Sequence, residues 1–394
     1  MLTDFQQKFD NAYEDIFNKV LVGKVIANYR YEPVLKFGES VERFALDLSG
    51  VKVRTTVRGS NSTIDDITDS VDLLTINVEK EAVFSLPDGV VTQAGPLSPG
   101  EVAGMNIAMK VATDLDSRIL YETLSSAYDF DTGDLTTMAS TGVPFLLDAT
   151  NIPLFISRAP AKLLRQNQIL TGLVMVIDSL AVSSFEQYLM GKGIDLAGAV
   201  FKNGYTGTIH GADLYVTENL TAEAQIHYTG AMADEETITI NGVVFRAQTG
   251  AIAAAGDVDA SVSTTQFLTN LEAALNAPQT ASGTYFGLSA ADLATIQALN
   301  ITATKLSATD LKIVCRGSGR LILAENQTNA TWLYNFMHFY FGKKGAIDVV
   351  VQDLKKIDIR PSSLQRASNY FSSYLAGIKT FADGAKKFLD VLAY

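Results

Sequence analysis

Residues 41–59, VERFALDLSGVKVRTTVRG, and 70–89, SVDLLTINVEKEAVFSLPDG, decide how this chain is read. The first alternates apolar and polar positions through Val51, Val53, Thr55 and Val57, the second through Leu74, Ile76 and Val78. A period of two is the pattern of extended strand. Between the stretches, Gly59-Ser60-Asn61-Ser62-Thr63 is rich in turn formers. Charge also favours pairing: Arg43, Lys52, Arg54 and Arg58 lie on one arm, and Asp65, Asp66, Asp69, Asp72, Glu79, Glu81 and Asp88 lie in and after the tip. A two-stranded ribbon with arms of about 17 residues reaches on the order of 50 Å. The flanking sequence is too poor in apolar residues to bury it within one chain. Its contacts are therefore expected on a second chain.

Outward from the ribbon, residues 1–21 read as an amphipathic helix, with Phe5, Phe9, Ile16 and Phe17 on one face and Gln6, Asp10, Glu14 and Asp15 opposite. Downstream, Ser98-Pro99-Gly100-Glu101 is a capping box with proline at the first helical position. The apolar spacing from Val102 to Leu124 makes this a helix of roughly 40 Å. Pro160–Leu170 and Ser183–Met190 look helical, LVMVID (173–178) looks like a buried strand, and GYTGTIHGADLYVTENL (204–220) like a turn with two strands. ETITINGVVFRA (236–247) is a hairpin signal, because Asn241-Gly242 supplies the positive φ values of a type I′ turn. Helices follow at Thr264–Asn276 and Ser289–Leu299, and DLKIVCRGSGRLILAE (310–325) repeats the strand–turn–strand pattern. Strands return at 346–352 and 381–394. The class is α+β.

The 394 residues suffice for two or three compact units. One cysteine, Cys315, excludes an internal disulfide, so stability must come from burial and assembly. No export signal is visible, and the best apolar run, Ile169–Val182, is too short and contains Asp178, so no membrane span is expected. The net charge of −12 argues against a protein that coats nucleic acid by neutralising phosphates. Acids prevail over 222–334 and bases over 342–394, the asymmetry expected of a container with an acidic outside and a basic inside.

Catalytic chemistry finds no foothold. His210, His227 and His338 do not stand at metal-ligand spacing, and each reads as a hydrogen-bonded structural residue. Gly-Lys at 23–24, 191–192 and 342–343 lacks the rest of a phosphate loop, and Gly317-Ser318-Gly319 lacks the frame of a nucleophile elbow. Asp129–Asp134 faintly resembles a calcium loop, but Ser140 stands where a bidentate acid should close it. The acid pairs Asp65-Asp66 and Glu235-Glu236 sit in apparent turns without an apolar pocket. No catalytic residue, cofactor or metal is expected.

The order of elements resembles the Hong Kong 97-type capsid fold of tailed-bacteriophage major capsid proteins: an N-terminal arm, an extended loop, a peripheral domain with a long spine helix, and an axial domain. Three phrases are similar to that family's wording: SVDLLTINVEKEAVFSLPD (70–88), GYTGTIHGADLYVTENL (204–220) and YFGKKGAIDVVVQ (340–352). The resemblance implies an arm over 1–40, an extended loop over 41–92, a peripheral domain with spine helix over 93–150 and an axial domain over 151–221. It further implies an inserted α+β subdomain over 222–335, then a return to the peripheral and axial domains over 336–394.

By that resemblance the chain is expected to be no enzyme but a shell subunit. It would join copies of itself into hexamers and pentamers and enclose DNA without sequence-specific binding, in a virion assembled in the host bacterial cytoplasm. No long charged segment precedes the arm, so either a separate scaffolding protein or a leader already removed is expected, Met1 favouring the scaffold, with a portal and decoration proteins as further partners. Assembly contacts are expected at Phe5, Phe9, Phe17, Val53, Arg54, Val57, Arg58, Asp65, Asp66, Leu74 and Ile76. Two alternatives stay open at this point, an encapsulin-like nanocompartment shell and an α/β enzyme without recognisable motifs.

Overall fold

The computed structural model describes residues 21–33, 39–47, 54–55, 68–87, 99–166, 168–191, 205–209, 211–280, 282–317, 319–361 and 367–394. The expected N-terminal helix and the tip of the ribbon lie outside the described residues. Along the chain come β1 (Ala27–Asn28), β2 (Ser40–Asp47), β3 (Thr68–Thr75), β4 (Val78–Pro87) and the 23-residue helix α1 (Pro99–Tyr121). These are followed by β5 (Asp129–Phe130), α2 (Asn151–Arg165), β6 (Leu173–Ile177), α3 (Ser179–Gly191), β7 (Tyr205–Ile209), β8 (Ala212–Val216) and β9 (Thr221–Tyr228). Next are β10 (Thr237–Ile240), β11 (Val243–Gln248), β12 (Asp257–Asp259), α4 (Thr264–Asn276), α5 (Ala290–Leu299), β13 (Ile301–Lys305), β14 (Asp310–Arg316) and β15 (Leu323–Glu325). The chain closes with β16 (Ala330–Lys343), β17 (Ile347–Pro361), β18 (Ala367–Lys379), the single turn α6 (Ala382–Ala385) and β19 (Phe388–Ala393).

Two compact units emerge, one from Ile26–Val111 and Lys344–Lys387, the other from Asn18–Val25, Ala112–Lys343 and Phe388–Tyr394. In the first, β17 and β18 form a long antiparallel pair from Asp348↔Lys379 to Pro361↔Ser368. The sheet order is β1-β17-β18-β4. The expected second arm does not continue as one strand. β3 pairs with β2 from Ser40↔Thr75 to Asp47↔Thr68, the chain breaks at Ile76 and Asn77, and β4 joins β18 instead. The break falls where Ile76 N–H donates to Glu39 O at 2.8 Å, closing the base of the ribbon. Thr75 O also lies over Gly377, where any Cβ would approach it to 2.8 Å.

The second unit is built on a nine-stranded sheet, ordered β13-β14-β9-β16-β6-β8-β7, with β19 on β16 and β5 on β19. β16 unites it: Ala330–Met337 pairs with β9, Tyr340–Lys343 with β6, and Met337–Gly342 with β19. β6 and β19 are buried at every position, β6 as its unbroken apolar run requires and β19 with Asp390 as its one charged residue. Phe130, Phe145, Phe155, Phe185 and Phe341 meet edge-on or tilted beside them, with centroids 5.3–6.2 Å apart.

Residues 222–335 contribute to two sheets. The Asn241-Gly242 hairpin forms as read, with φ of 49° and 85°, and its sheet is β12-β11-β10-β15. β9, β13, β14 and the first half of β16 belong to the nine-stranded sheet. The expected hairpin over 310–325 is corrected: β14 pairs with β9 and β13, whereas β15 pairs with β10. Positive φ at Gly317 and Gly319 turns the chain from one sheet to the other. The helix expected from Pro160 begins nine residues earlier, at Asn151, because Asp148 Oδ1 accepts from the N–H groups of Thr150 (2.9 Å) and Asn151 (2.7 Å).

Candidate assembly interface

The base of the β2–β3 ribbon is the site that the sequence and structure single out together. Strand alternation sends Val41, Arg43, Asp72 and Leu74 to one face, where Val41 stands opposite Leu74 and Arg43 opposite Asp72. Leu74 is fully buried against Val350 and Phe381, with Tyr31, Val41 and Ile76 around them. Arg43 grips Asp383 with both guanidinium nitrogens, at 2.6 and 2.7 Å, and lies 3.8 Å from Asp348. Asp72 is bound by the Lys379 ammonium, which also donates to Leu73 O at 2.9 Å. Both cations face the Phe381 ring, 5.0 Å and 5.9 Å from its centroid. Asp348 is further held by Asn28 (2.7 Å) and Arg30 (3.3 Å). Burial pushes its carboxyl above the usual range, against the pull of Arg30 and Arg43.

The other face of the ribbon carries Val71 and Leu73, 55% and 41% exposed. The sequence does not mark them, because Leu73 and Leu74 are adjacent and the alternation through Leu74, Ile76 and Val78 leaves Val71 and Leu73 out of phase. The expectation for that phase needs correction. Leu74 was expected to contact a neighbouring subunit, yet its side chain is wholly inside its own unit, and Ile76 is half-buried in the same cluster. Arg54 is exposed. Phe5, Phe9, Phe17, Val53, Val57, Arg58, Asp65 and Asp66 lie outside the described residues.

The second unit pairs its buried polar groups with one another. His338 Nδ1 is 2.8 Å from Asp390 Oδ2, and its Nε2 is 3.4 Å from Glu223. Burial lowers the imidazole's affinity for protons, but the two carboxylates outweigh it and raise the pKa to about 9. His227 likewise meets Asp310 at 2.7 Å. In the loop that resembles a calcium site, Asp131 accepts from Ser140 Oγ (2.7 Å) and from the N–H groups of Gly133, Thr141 and Gly142. Burial would raise its pKa, and these donors lower it instead. Ser140, at the position a calcium loop gives to an acid, here supplies the hydroxyl that a carboxylate needs. Among the described residues no three His, Cys, Asp or Glu side chains are grouped to hold a metal ion. No helix among them is long and apolar enough to cross a membrane.

No family model matches the sequence, and no curated protein does. Solved structures do. A chain of Mycobacterium phage Che8 superimposes with a TM-score of 0.50 over 95% of this chain and 90% of that one, at 13% identity. The chain has a phage capsid fold. Weaker likenesses are to the capsid structure of Cyanophage P-SCSP1u (TM-score 0.46, 8% identity, covering 91% of this chain and 84% of that one) and to the mature capsid of bacteriophage PhiM1 (0.44, 11%, 90% and 82%).

Proposed function

We propose that this chain is the major capsid protein of a tailed bacteriophage, self-assembling through hexamers and pentamers into the icosahedral head shell that encloses the DNA genome. The observation that carries the reading is the division of labour on the ribbon. One face is fixed to its own unit through Leu74, Arg43 and Asp72, while Val71 and Leu73 stand uncovered on the other. An uncovered apolar ribbon is marginal in water and gains by docking on a neighbour. The chain is then a structural subunit and not an enzyme. A separate scaffolding protein, a portal and decoration proteins are its proposed partners in the virion, with assembly in the host cytoplasm. The proposed domains are an arm (1–40), extended loop (41–92), peripheral domain (93–150), axial domain (151–221), insertion (222–335) and return (336–394).

Negative-stain microscopy of the purified protein tests this reading. Closed shells or hexameric rings are expected, and a monodisperse monomer at every concentration would refute it. The proposed contacts at the far part of the ribbon are tested by reversing Arg54 and Arg58 to Glu. Circular dichroism should show an unchanged fold while sedimentation shows assembly weakened or lost. Normal shells with normal salt resistance would remove these two residues from the interface.

A further inference from the structure

Arg43 and Asp72 are direct cross-strand partners in the β2–β3 register, on the same face of the ribbon, yet neither bonds the other. Each reaches past its partner to the body of the unit: Arg43 to Asp383 and Asp348, Asp72 to Lys379. We infer that these residues form a partner-exchange latch, in which the ribbon is either tied to its body by the two outward ion pairs or released with Arg43 and Asp72 paired to each other.

Three features make the exchange feasible. Directly opposed residues on an antiparallel pair are close enough for opposite charges to meet without moving the backbone. The acids left behind keep cations of their own: Asp383 already has Lys387 at 3.3 Å and Asp348 already has Arg30 at 3.3 Å. The Lys379 ammonium keeps Leu73 O or the Phe381 ring as company, depending on how far the ribbon moves. Release therefore strands no charge in an apolar setting, the condition that would otherwise forbid it. The groups are also part-exposed, with side chains 22% (Arg43), 45% (Asp383), 35% (Lys379) and 34% (Asp72) accessible. Salt reaches them, and each pair shifts the balance by only about two- to fivefold. The tied state should thus prevail at low salt without being locked. Leu74, two residues further toward the base on the same face, stays in the Val350–Phe381 cluster and acts as the pivot.

Double electron–electron resonance on the full chain reads the two states. Spin labels at Val71→Cys on β3 and Ser85→Cys on β4 are both at exposed positions, and the native Cys315 is buried. Dilution with unlabelled chain restricts the signal to intrachain pairs. One dominant distance is expected at 50 mM NaCl, with a second population growing severalfold at 500 mM. Lys379→Met with Asp383→Asn should make the second population dominant at low salt. In that background alone, Arg43→Met should reduce it again, because the released state has lost its own ion pair. A distance distribution unchanged by salt and by the double substitution overturns the latch. A second population that Arg43→Met leaves untouched overturns the partner exchange. Circular dichroism melts of each variant confirm that the readout comes from folded chain.

Discussion

His338 on β16 and Asp390 on β19 are diagonal neighbours on adjacent strands of one sheet, their Nδ1 and Oδ2 2.8 Å apart and both side chains 5% exposed. The imidazole is held protonated by Asp390 and by Glu223, whose own pKa is lowered by His338 and Lys312 against the cost of burial. Its pKa in the fold, about 9, lies above the unfolded value of 6.5. The folded state therefore binds this proton more tightly, and the stabilisation is complete below pH 6.5 and lost as pH rises through 9. The melting temperature should accordingly fall between pH 7 and 10, from a stabilisation on the order of 3 kcal/mol. His338→Ala should cost about 3–5 kcal/mol at pH 7, since Asp390 is left buried and unpaired. A flat melting profile from pH 7 to 10 in the parent would contradict the pairing.

Asp116, on α1, has the opposite problem. It is fully buried and its donors are neutral: Gly23 N–H, Asn219 Nδ2 at 2.9 Å and Thr217 Oγ1 at 3.4 Å. Burial raises its pKa to about 6, against the pull of those donors. Protonation thus favours the fold, and the contribution present at pH 4 is lost as pH rises through 6. Asp116→Asn, which keeps an acceptor for Gly23, should raise the melting temperature at pH 7.5 and leave it unchanged near pH 4.5. Gly23→Ala should destabilise at both pH values by about 1–3 kcal/mol, because its Cβ would sit 3.0 Å from Asp116 Oδ1 and from Ile119.

Legibility in the sequence followed the reach of each signal. The type I′ turn at Asn241-Gly242 depends on four adjacent residues and formed where read, and the helices expected over Thr264–Asn276 and Ser289–Leu299 also formed, with Ser263 and Ser289 as their caps. Strand partners depend on distant residues, so the run 310–325 looked like a hairpin although β15 pairs with β10. β18 carries little strand signal because its inward positions are Tyr370, Ser372, Tyr374 and Ala376, a period of two written largely in polar and small side chains. Phe84 stacked on Tyr370 at 4.9 Å shows how the larger of them fill that face. Of the candidate interface, the ribbon was legible and its inward face was not. Which of Leu73 and Leu74 is buried depends on Phe381, more than 300 positions away.

That pair of adjacent leucines separates stability from assembly. Leu74→Ala should lower stability by about 2–5 kcal/mol, since it empties a site enclosed by Val350 and Phe381. Leu73→Ser removes a side chain already 41% exposed and should leave the melt within about 0.5 kcal/mol of the parent. Its effect should appear in sedimentation as weaker association. Equal losses of melting temperature for the two would mean that Leu73 is also a core residue.

The last prediction concerns β13, an edge of the nine-stranded sheet. Edge strands offer unpaired N–H and C=O groups to other chains, and here α4 answers them. Asn276 presents its side-chain amide to the strand as a backbone would, with Nδ2 donating to Ala303 O and Oδ1 accepting from Ala303 N, each at 2.9 Å. Glu272 accepts from Lys305 N at 3.2 Å, and the Lys305 ammonium donates to Thr269 Oγ1. The covering helix thereby does the work of a missing strand without offering an edge of its own. Asn276→Leu keeps the branched shape at an exposed position but leaves both Ala303 groups without partners, at a cost of about 1–3 kcal/mol. It also reopens the edge. The expected outcome is a lower melting temperature together with concentration-dependent oligomers that bind an amyloid-type dye, whereas Asn276→Gln, which retains the amide, should show less of both. If Asn276→Leu lowers stability yet stays free of such oligomers at high concentration, the amide serves only the fold and the edge is guarded by the bulk of α4 alone.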